Sequence, residues 1–270
     1  MTTILALDAA WTATEPTGVA LVASDGIGWR AVAVAPNYDS FLRLAEGSPV
    51  PWTQPGRFHG NTASVPELLE AAHRLANSPV DLVTIDIPIA TVPITGRRAA
   101  DNVISAIFGG RGCSTHTPNA ICPGPLGATL SAAFNDAGFP IATSLTTAAQ
   151  TRRLLEVYPH PALVTLLTRT YRVPSKVGKT RSYWPALSLD ERIDMLLVEF
   201  SAIHDALDNV LGPVGIQIPT AAGKLTLSAL KRYEDALDAL VCAWVGIRYM
   251  QGQAIGHGDE TAAIWCPSAS

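Results

Sequence analysis

Five carboxylates stand where a folded chain has least use for charge. Asp8 closes the apolar run Ile-Leu-Ala-Leu-Asp, and Asp86 lies within Thr-Ile-Asp-Ile-Pro. Glu156 interrupts Leu-Leu-Glu-Val-Tyr, and Asp235 and Asp238 fall in Tyr-Glu-Asp-Ala-Leu-Asp-Ala-Leu. A buried carboxylate is costly unless it is paired, hydrogen-bonded or bound to a cation, so several in one chain need a shared explanation. At about 100° per residue, Asp235, Asp238, Lys231 and Cys242 share one narrow helix face. Leu230, Tyr233, Leu237, Leu240 and Trp244 form an apolar stripe turned more than about 90° away, which sets the acids at the edge of the core. Helix carboxylates at i and i+3, facing the ends of two adjacent strands, can hold one or two divalent cations through hard oxygen ligands. Two such ions about 4 Å apart can activate a water and stabilise the leaving oxygen of a phosphodiester. A carboxylate cluster with no positive partner repels itself, so Mg²⁺ or Mn²⁺ is the expected counter-charge at Asp8, Asp86, Asp235 and Asp238. Four of the five acids also have a plainer reading, Asp86 being the exception. Asp235 and Asp238 can form a solvated helix face with Lys231 as their i+4 partner, Asp8 can be a turn residue, and Glu156 can mark a strand entry.

Residues 3–9, 17–23 and 29–35 read as three short strands, with Asp25 and Gly26 as turn chemistry between the last two. That spacing predicts an antiparallel meander. A poorly patterned segment follows to about Asn61. Ser64 with Glu67 forms a capping box for a helix that Pro79 ends, and residues 81–89 read as a buried strand parallel to the first. Strand, strand, strand, helix, strand is the opening of the ribonuclease H topology and departs from a simple Rossmann alternation. Residues 97–108 read as helical, 109–127 as an irregular Gly/Pro-rich loop, and 154–158 as a fifth strand preceded by a helical stretch from about Thr146. Ser188 with Glu191 opens a helix to about Leu211, residues 226–251 form a long last helix, and 262–265 a short closing strand. The expected fold is a single α/β domain over residues 1–270. Its ribonuclease-H-like mixed sheet has five strands flanked by helices, with insertions at about 109–145 and 165–225.

With 19 basic against 23 acidic residues, the formal charge of −4 weighs against a protein that coats duplex DNA nonspecifically. The four cysteines include no C-x-x-C, the start lacks the features of a signal peptide, and no apolar stretch is long enough to span a membrane. These features predict a reduced, cytoplasmic setting with no membrane partner. The basic run Arg169, Arg172, Lys176, Lys179 and Arg181 reads as a solvated loop or as phosphate contacts. His160 is a candidate base or substrate ligand beside two prolines that suit a structural role as well. Arg97, Arg98 and Arg111 flank the loop at 109–127 and suit an anionic substrate, although Arg97 and Arg98 also fit an ordinary helix start. Cys113, His116 and Cys122 supply three zinc-type ligands, one short of a structural site.

The segments Ala-Leu-Asp-Ala-Ala-Trp, Ile-Asp-Ile-Pro-Ile, Leu-Glu-Val-Tyr-Pro-His-Pro and Asp-Ala-Leu-Asp-Ala-Leu-Val-Cys-Ala resemble those of the predicted nucleases with a ribonuclease H fold, catalogued as domain of unknown function 429. In the wider superfamily one acid lies on strand one, one on strand four and one or two on the last helix. The resemblance carries these onto Asp8, Asp86, Asp235 and Asp238, while Glu156 matches the closer family alone. It implies a metal-dependent phosphodiester hydrolase acting on nucleic acid or a nucleotide. Its catalytic candidates are Asp8, Asp86, Glu156, Asp235 and Asp238, and its substrate-binding candidates are Arg97, Arg111, His160, Lys176 and Lys231. The rivals are a non-catalytic binding module and an actin-like nucleotide phosphohydrolase, the latter weakened because Trp11-Thr12-Ala13-Thr14 follows strand one in place of a glycine-rich loop. Oligomeric state is not legible from the sequence.

Overall fold

In the computed structural model, residues 1–268 are described apart from 55, 63 and 224. The expected meander forms from β1 (Thr2–Asp8), β2 (Gly18–Ser24) and β3 (Trp29–Ala35), paired antiparallel. Asp25 shapes the β2–β3 turn by accepting the N–H groups of Ile27 and Gly28 at 2.9 and 3.1 Å. Residues 36–61, expected to be irregular, begin instead with α1 (Tyr38–Leu44), because Asn37 caps it by accepting the Ser40 N–H at 2.9 Å. α2 (Val65–Ala76) starts at Ser64 as expected, and it stops at left-handed Asn77 before Pro79 is reached. β4 (Leu82–Ile85) is shorter than expected and closes just before Asp86, ahead of Pro88, which has no N–H to offer a ladder.

α3 (Ala99–Phe108) precedes a 3-10 turn at Gly109–Arg111, and a further helix, α4 (Leu126–Asp136), sits inside the expected loop insertion. The helix expected from Thr146 does not form. Residues 146–152 are turns, with Ala149 and Arg152 at φ of 66° and 57°, and lead directly into β5 (Arg153–Val157). α5 (Pro159–Leu166), α6 (Thr180–Tyr183) and α7 (Leu189–Leu211) follow, the last opened by the Ser188/Glu191 box. After α8 (Leu227–Met250) come β6 (Ala254–Gly258) and β7 (Ala263–Pro267).

The result is one mixed sheet of seven strands, ordered β3-β2-β1-β4-β5-β7-β6, in place of the expected five. β4 is parallel to β1, β5 to β4 and β7 to β5, while β6 runs antiparallel to β7 at the edge. β6 escapes sequence reading because Ala-Ile-Gly-His-Gly has two glycines and no alternation; its hairpin with β7 makes it a strand.

Alternation assigns the strands to two layers. Ile4, Ala6, Ala20 and Val22 pack with α7 and α8, whereas Leu5, Leu7, Val19 and Leu21 pack with α1 and α2. α8 is therefore not the amphipathic edge helix that its stripe suggests. Every residue from Arg232 to Ile247 is buried, because the sheet takes one side and α7 and α5 take others. Two glycines let it lie that close. A side chain at Gly18 would overlap the backbone oxygen of Asp235, and one at Gly246 would meet Thr84 Cγ2 at 2.9 Å and Ile4 Cγ2 at 3.0 Å.

Gly18→Ala should therefore force helix and sheet apart. Equilibrium denaturation is expected to show a loss of about 1–3 kcal/mol or more, against a few tenths for an alanine at exposed, unobstructed Gly28.

Candidate functional site

Strand parity decides which acids meet. Asp8 continues the Ile4/Ala6 parity, and Asp86 continues that of Leu82 and Thr84, so both emerge toward α8 from neighbouring parallel strand ends. The Asp86 N–H donates to Leu7 O at 2.9 Å, which locks the two ends together. Glu156 pairs in register with Ile85, whose side chain packs in the opposite layer, and is thereby turned away from Asp8 and Asp86.

From α8 come Glu234, Asp235 and Asp238, each buried, where a solvated face was the plainer expectation. Two lysines enter among them. Lys176 Nζ lies 2.5 Å from Asp238 Oδ2 and 3.5 Å from Glu234 Oε1. Lys231 reaches Glu234 Oε1 at 2.8 Å and pairs with Asp235 Oδ1, so the expected i+4 pairing exists, between a half-buried lysine and a buried acid rather than on a solvated face. The Val177 N–H donates to Glu234 Oε2 at 2.6 Å. Glu234 was missed by sequence reasoning, although Lys231, Glu234, Asp235 and Asp238 fall at i, i+3, i+4 and i+7, one helical ridge.

Five carboxylates thus face two ammonium groups. Burial pushes the Asp8 carboxyl up to about 7; Asp238 adds to that rise and Lys176 opposes it. Burial, reinforced by Asp8, raises Asp86 well above the usual carboxylate range. Burial likewise raises Asp235 and Asp238 despite their lysines. Glu234 alone is lowered, since two lysines and a backbone N–H outweigh its burial. For Lys176 the balance runs the other way: burial disfavours its charge, but Asp238, Glu234, Asp8 and Asp86 hold it protonated. Among the described residues, no group of three His, Cys, Asp or Glu side chains is arranged to hold a metal. The lysines supply the counter-charge expected of a cation.

Glu156 has its own partner. Arg98 grips it bidentately at 2.5 and 2.6 Å, also holds Asp101 at 2.9 Å, and Glu156 Oε2 accepts the Ile89 N–H at 3.0 Å. This network anchors the segment that follows Asp86, and it uses Arg98 rather than its neighbour. Arg97 and Arg111 are spent on the chain itself: Arg97 on Asn102 and the Asp101 and Thr115 carbonyls, Arg111 on the Arg169 and Thr170 carbonyls. His160 is buried with Nε2 2.6 Å from Arg172 Nη2, and burial plus the nearby cations push its pKa well down. A cavity of about 240 Å³ is lined by Asp8, Asp86, Asp235, Lys176 and Lys231. A second, of about 360 Å³, shares Trp11, Asp86 and both lysines and extends to His160 and Arg172.

The family model described as "Protein of unknown function (DUF429)" matches residues 22–263. The chain belongs to that family. The DUF429 match takes in Asp86, Glu156, Lys176, Glu234, Asp235 and Asp238 and stops short of Asp8. No curated protein and no solved structure matches the chain. No helix among the described residues is long and apolar enough to cross a membrane.

Two outcomes arise from the charge layout. A carboxyl raised from 3.8 to about 7 binds its proton more tightly folded than unfolded. Its contribution to stability is therefore complete below about pH 3.8 and lost as pH rises to about 7. In chelator-containing buffer, Asp8→Asn is expected to match wild type near pH 4 and exceed it at pH 8 by on the order of 2 kcal/mol in urea denaturation. Glu156→Gln breaks a buried bidentate pair and should cost about 3 kcal/mol in the same assay. A loss under about 1 kcal/mol would remove Glu156 as the anchor of the Asp86 segment.

Proposed function

We propose that this chain is a divalent-metal-dependent phosphodiester hydrolase, acting on nucleic acid or a nucleotide-like substrate from a ribonuclease-H-like scaffold. The order β3-β2-β1-β4-β5, antiparallel through β1–β3 and parallel through β4 and β5, supports that scaffold, with β7 and β6 as additions. The observation that carries the functional reading is the charge imbalance: four buried carboxylates and the half-buried Asp86 against two lysines at one end of the sheet. Such an excess must take up protons or a further cation.

A hard cation fits on three counts. The donors are all carboxylate oxygens, Asp8, Asp86 and Asp235 line one cavity, and Asp235 Oδ2 is buried without a hydrogen-bond partner. Among the described residues no three donors converge, so those three side chains would have to draw together to hold Mg²⁺ or Mn²⁺, which when bound supplies charge neutralisation at phosphoryl oxygens and an acidified water. The chain's own groups divide the remaining work. Lys176 and Lys231 keep Glu234 ionised and hold Asp238 and Asp235 Oδ1 in place. Asp8 keeps its carboxyl proton up to about neutral pH and must release it before it can bind a cation. Free cysteines at 113, 122, 242 and 266 suit a reducing, cytoplasmic setting.

One observation favours a rival, a non-catalytic binding module: the lysines already neutralise part of the cluster, and among the described residues no three donors converge. Titration separates the two. Calorimetry with Mn²⁺ is expected to show binding that strengthens between about pH 6 and 8 and disappears in Asp8→Asn and Asp86→Asn. With Mg²⁺ or Mn²⁺ present, cleavage of a panel of single-stranded, duplex, hybrid, branched and small phosphodiester substrates should fall at least about 100-fold in both variants. Wild type performing no better than the variants on every substrate would end the hydrolase reading.

A further inference from the structure

The larger cavity next to the carboxylates has a wall of a different character. Most charges that line it are already spent: Arg98 on Glu156 and Asp101, Lys231 on Glu234 and Asp235, Lys176 on Glu234 and Asp238. Two cations are not. Among the described residues neither Arg172 nor Lys179 forms an ion pair, although both line the cavity.

The donor side of the same wall is under-used as well. A guanidinium can only donate, so Arg172 at 2.6 Å makes His160 Nε2 an acceptor and leaves the ring proton on Nδ1. That Nδ1–H is buried with no acceptor among the described residues, as is Arg172 Nε. His160 itself is only 4% exposed. It stands in the first turn of α5, whose N-terminus at Tyr158 has no side-chain cap; Pro159 and Pro161 carry no N–H, so the His160 N–H is the one first-turn amide offered there, at the positive end of the helix dipole. One free amide, two cations without an ion-pair partner and two orphaned donors around a single cavity suit an anionic group.

The rest of the cavity sets the size of the anion's carrier. A volume of about 360 Å³ lies in the range of small-molecule sites. Half-buried Trp11 and exposed His116, ring centroids 6.4 Å apart, supply an aromatic surface on the side nearest Asp8 and Asp86. A duplex would need an extended basic track, whereas the net charge here is −4.

We propose that Arg172, Lys179 and the His160 amide at the start of α5 form a phosphate subsite, and that the substrate is a small nucleotide whose base rests on Trp11, rather than a duplex. This rests on the hydrolase reading for its chemistry and on the cavity alone for its binding.

Binding is measured by calorimetry on wild type and on the Asp8→Asn variant, so that no result depends on turnover. The probes are adenosine monophosphate, adenosine, inorganic phosphate and a short DNA duplex. The monophosphate is expected to bind at least about tenfold more tightly than adenosine, and Lys179→Ala and Arg172→Gln to weaken both it and inorganic phosphate about tenfold. Trp11→Ala should weaken the monophosphate while leaving inorganic phosphate unchanged. Lys179 is exposed, so its variant is readable even where Arg172→Gln disturbs His160 and the fold. Tighter binding of duplex than of monophosphate, or a Lys179→Ala protein with undiminished affinity, overturns the proposal. Nucleotide binding without hydrolysis of any substrate would sustain the subsite and sink the hydrolase; duplex cleavage without nucleotide binding would do the reverse.

Discussion

The interaction on which the molecule turns is the pairing of Lys176 and Lys231 with the carboxylates of α8. Three acids on one ridge of a helix buried on all sides would repel one another at short range in a medium that screens poorly. The two ammonium groups make that burial tolerable, and they arrive by different routes. Lys231 comes from the first turns of the same helix, a local i+3 and i+4 arrangement. Lys176 comes from the segment between α5 and α6, and its neighbour's N–H also closes on Glu234. The network thereby ties that segment to the central helix as firmly as it balances charge.

The charge network in turn requires a helix seated directly on the sheet, and that seat depends on small residues. Gly18 lies opposite Asp8 in the β1–β2 ladder and beneath the Asp235 carbonyl, so the residue that admits α8 also sets Asp235 beside Asp8. Gly246 does the same service three turns on, over Ile4 and Thr84. Proximity of strand-end and helix acids is then a consequence of backbone approach, independent of any attraction between like charges.

How much of this was legible depended on whether the signal was local. Asp8 and Asp86 stood out as charges at the ends of apolar runs, and the meander, the two capped helices and the long last helix were readable from alternation and from Ser–Glu spacing. What failed was non-local or all-sided. α8 read as amphipathic because its leucines and aromatics form a stripe, while Ala236, Ala239, Ala243 and Gly246, which count little in such a pattern, are buried as deeply. Glu156 looked like a member of the acid set until register with Ile85 put it on the other layer, a fact carried by strand pairing and not by composition. Lys176 sits 62 residues before Asp238, so nothing local marks them as partners. The turns at 146–152 defeated the helix expected there through two left-handed non-glycine residues, which propensity does not foresee.

The two acid groups also differ in what they leave unsatisfied, and that difference separates scaffold from site. Glu156 has both oxygens held by Arg98 and a backbone N–H, a closed arrangement with nothing left to offer. Among the described residues Asp8 and Asp86 have no such partner, and burial raises the pKa of each, as it does for Asp235, one of whose oxygens bonds nothing. A stable fold does not require that remainder of unpaired charge, since apolar side chains of like size would pack there at no electrostatic cost. Strain of this kind is tolerated where it is used. The same logic applies across the partition formed by the lysines, where Arg172 and Lys179 are cations in want of an anion. An acid-rich cavity short of positive charge adjoins one in which Arg172 and Lys179 lack an ion-pair partner, and a phosphate ester bound with a cation is a ligand whose two parts complete both.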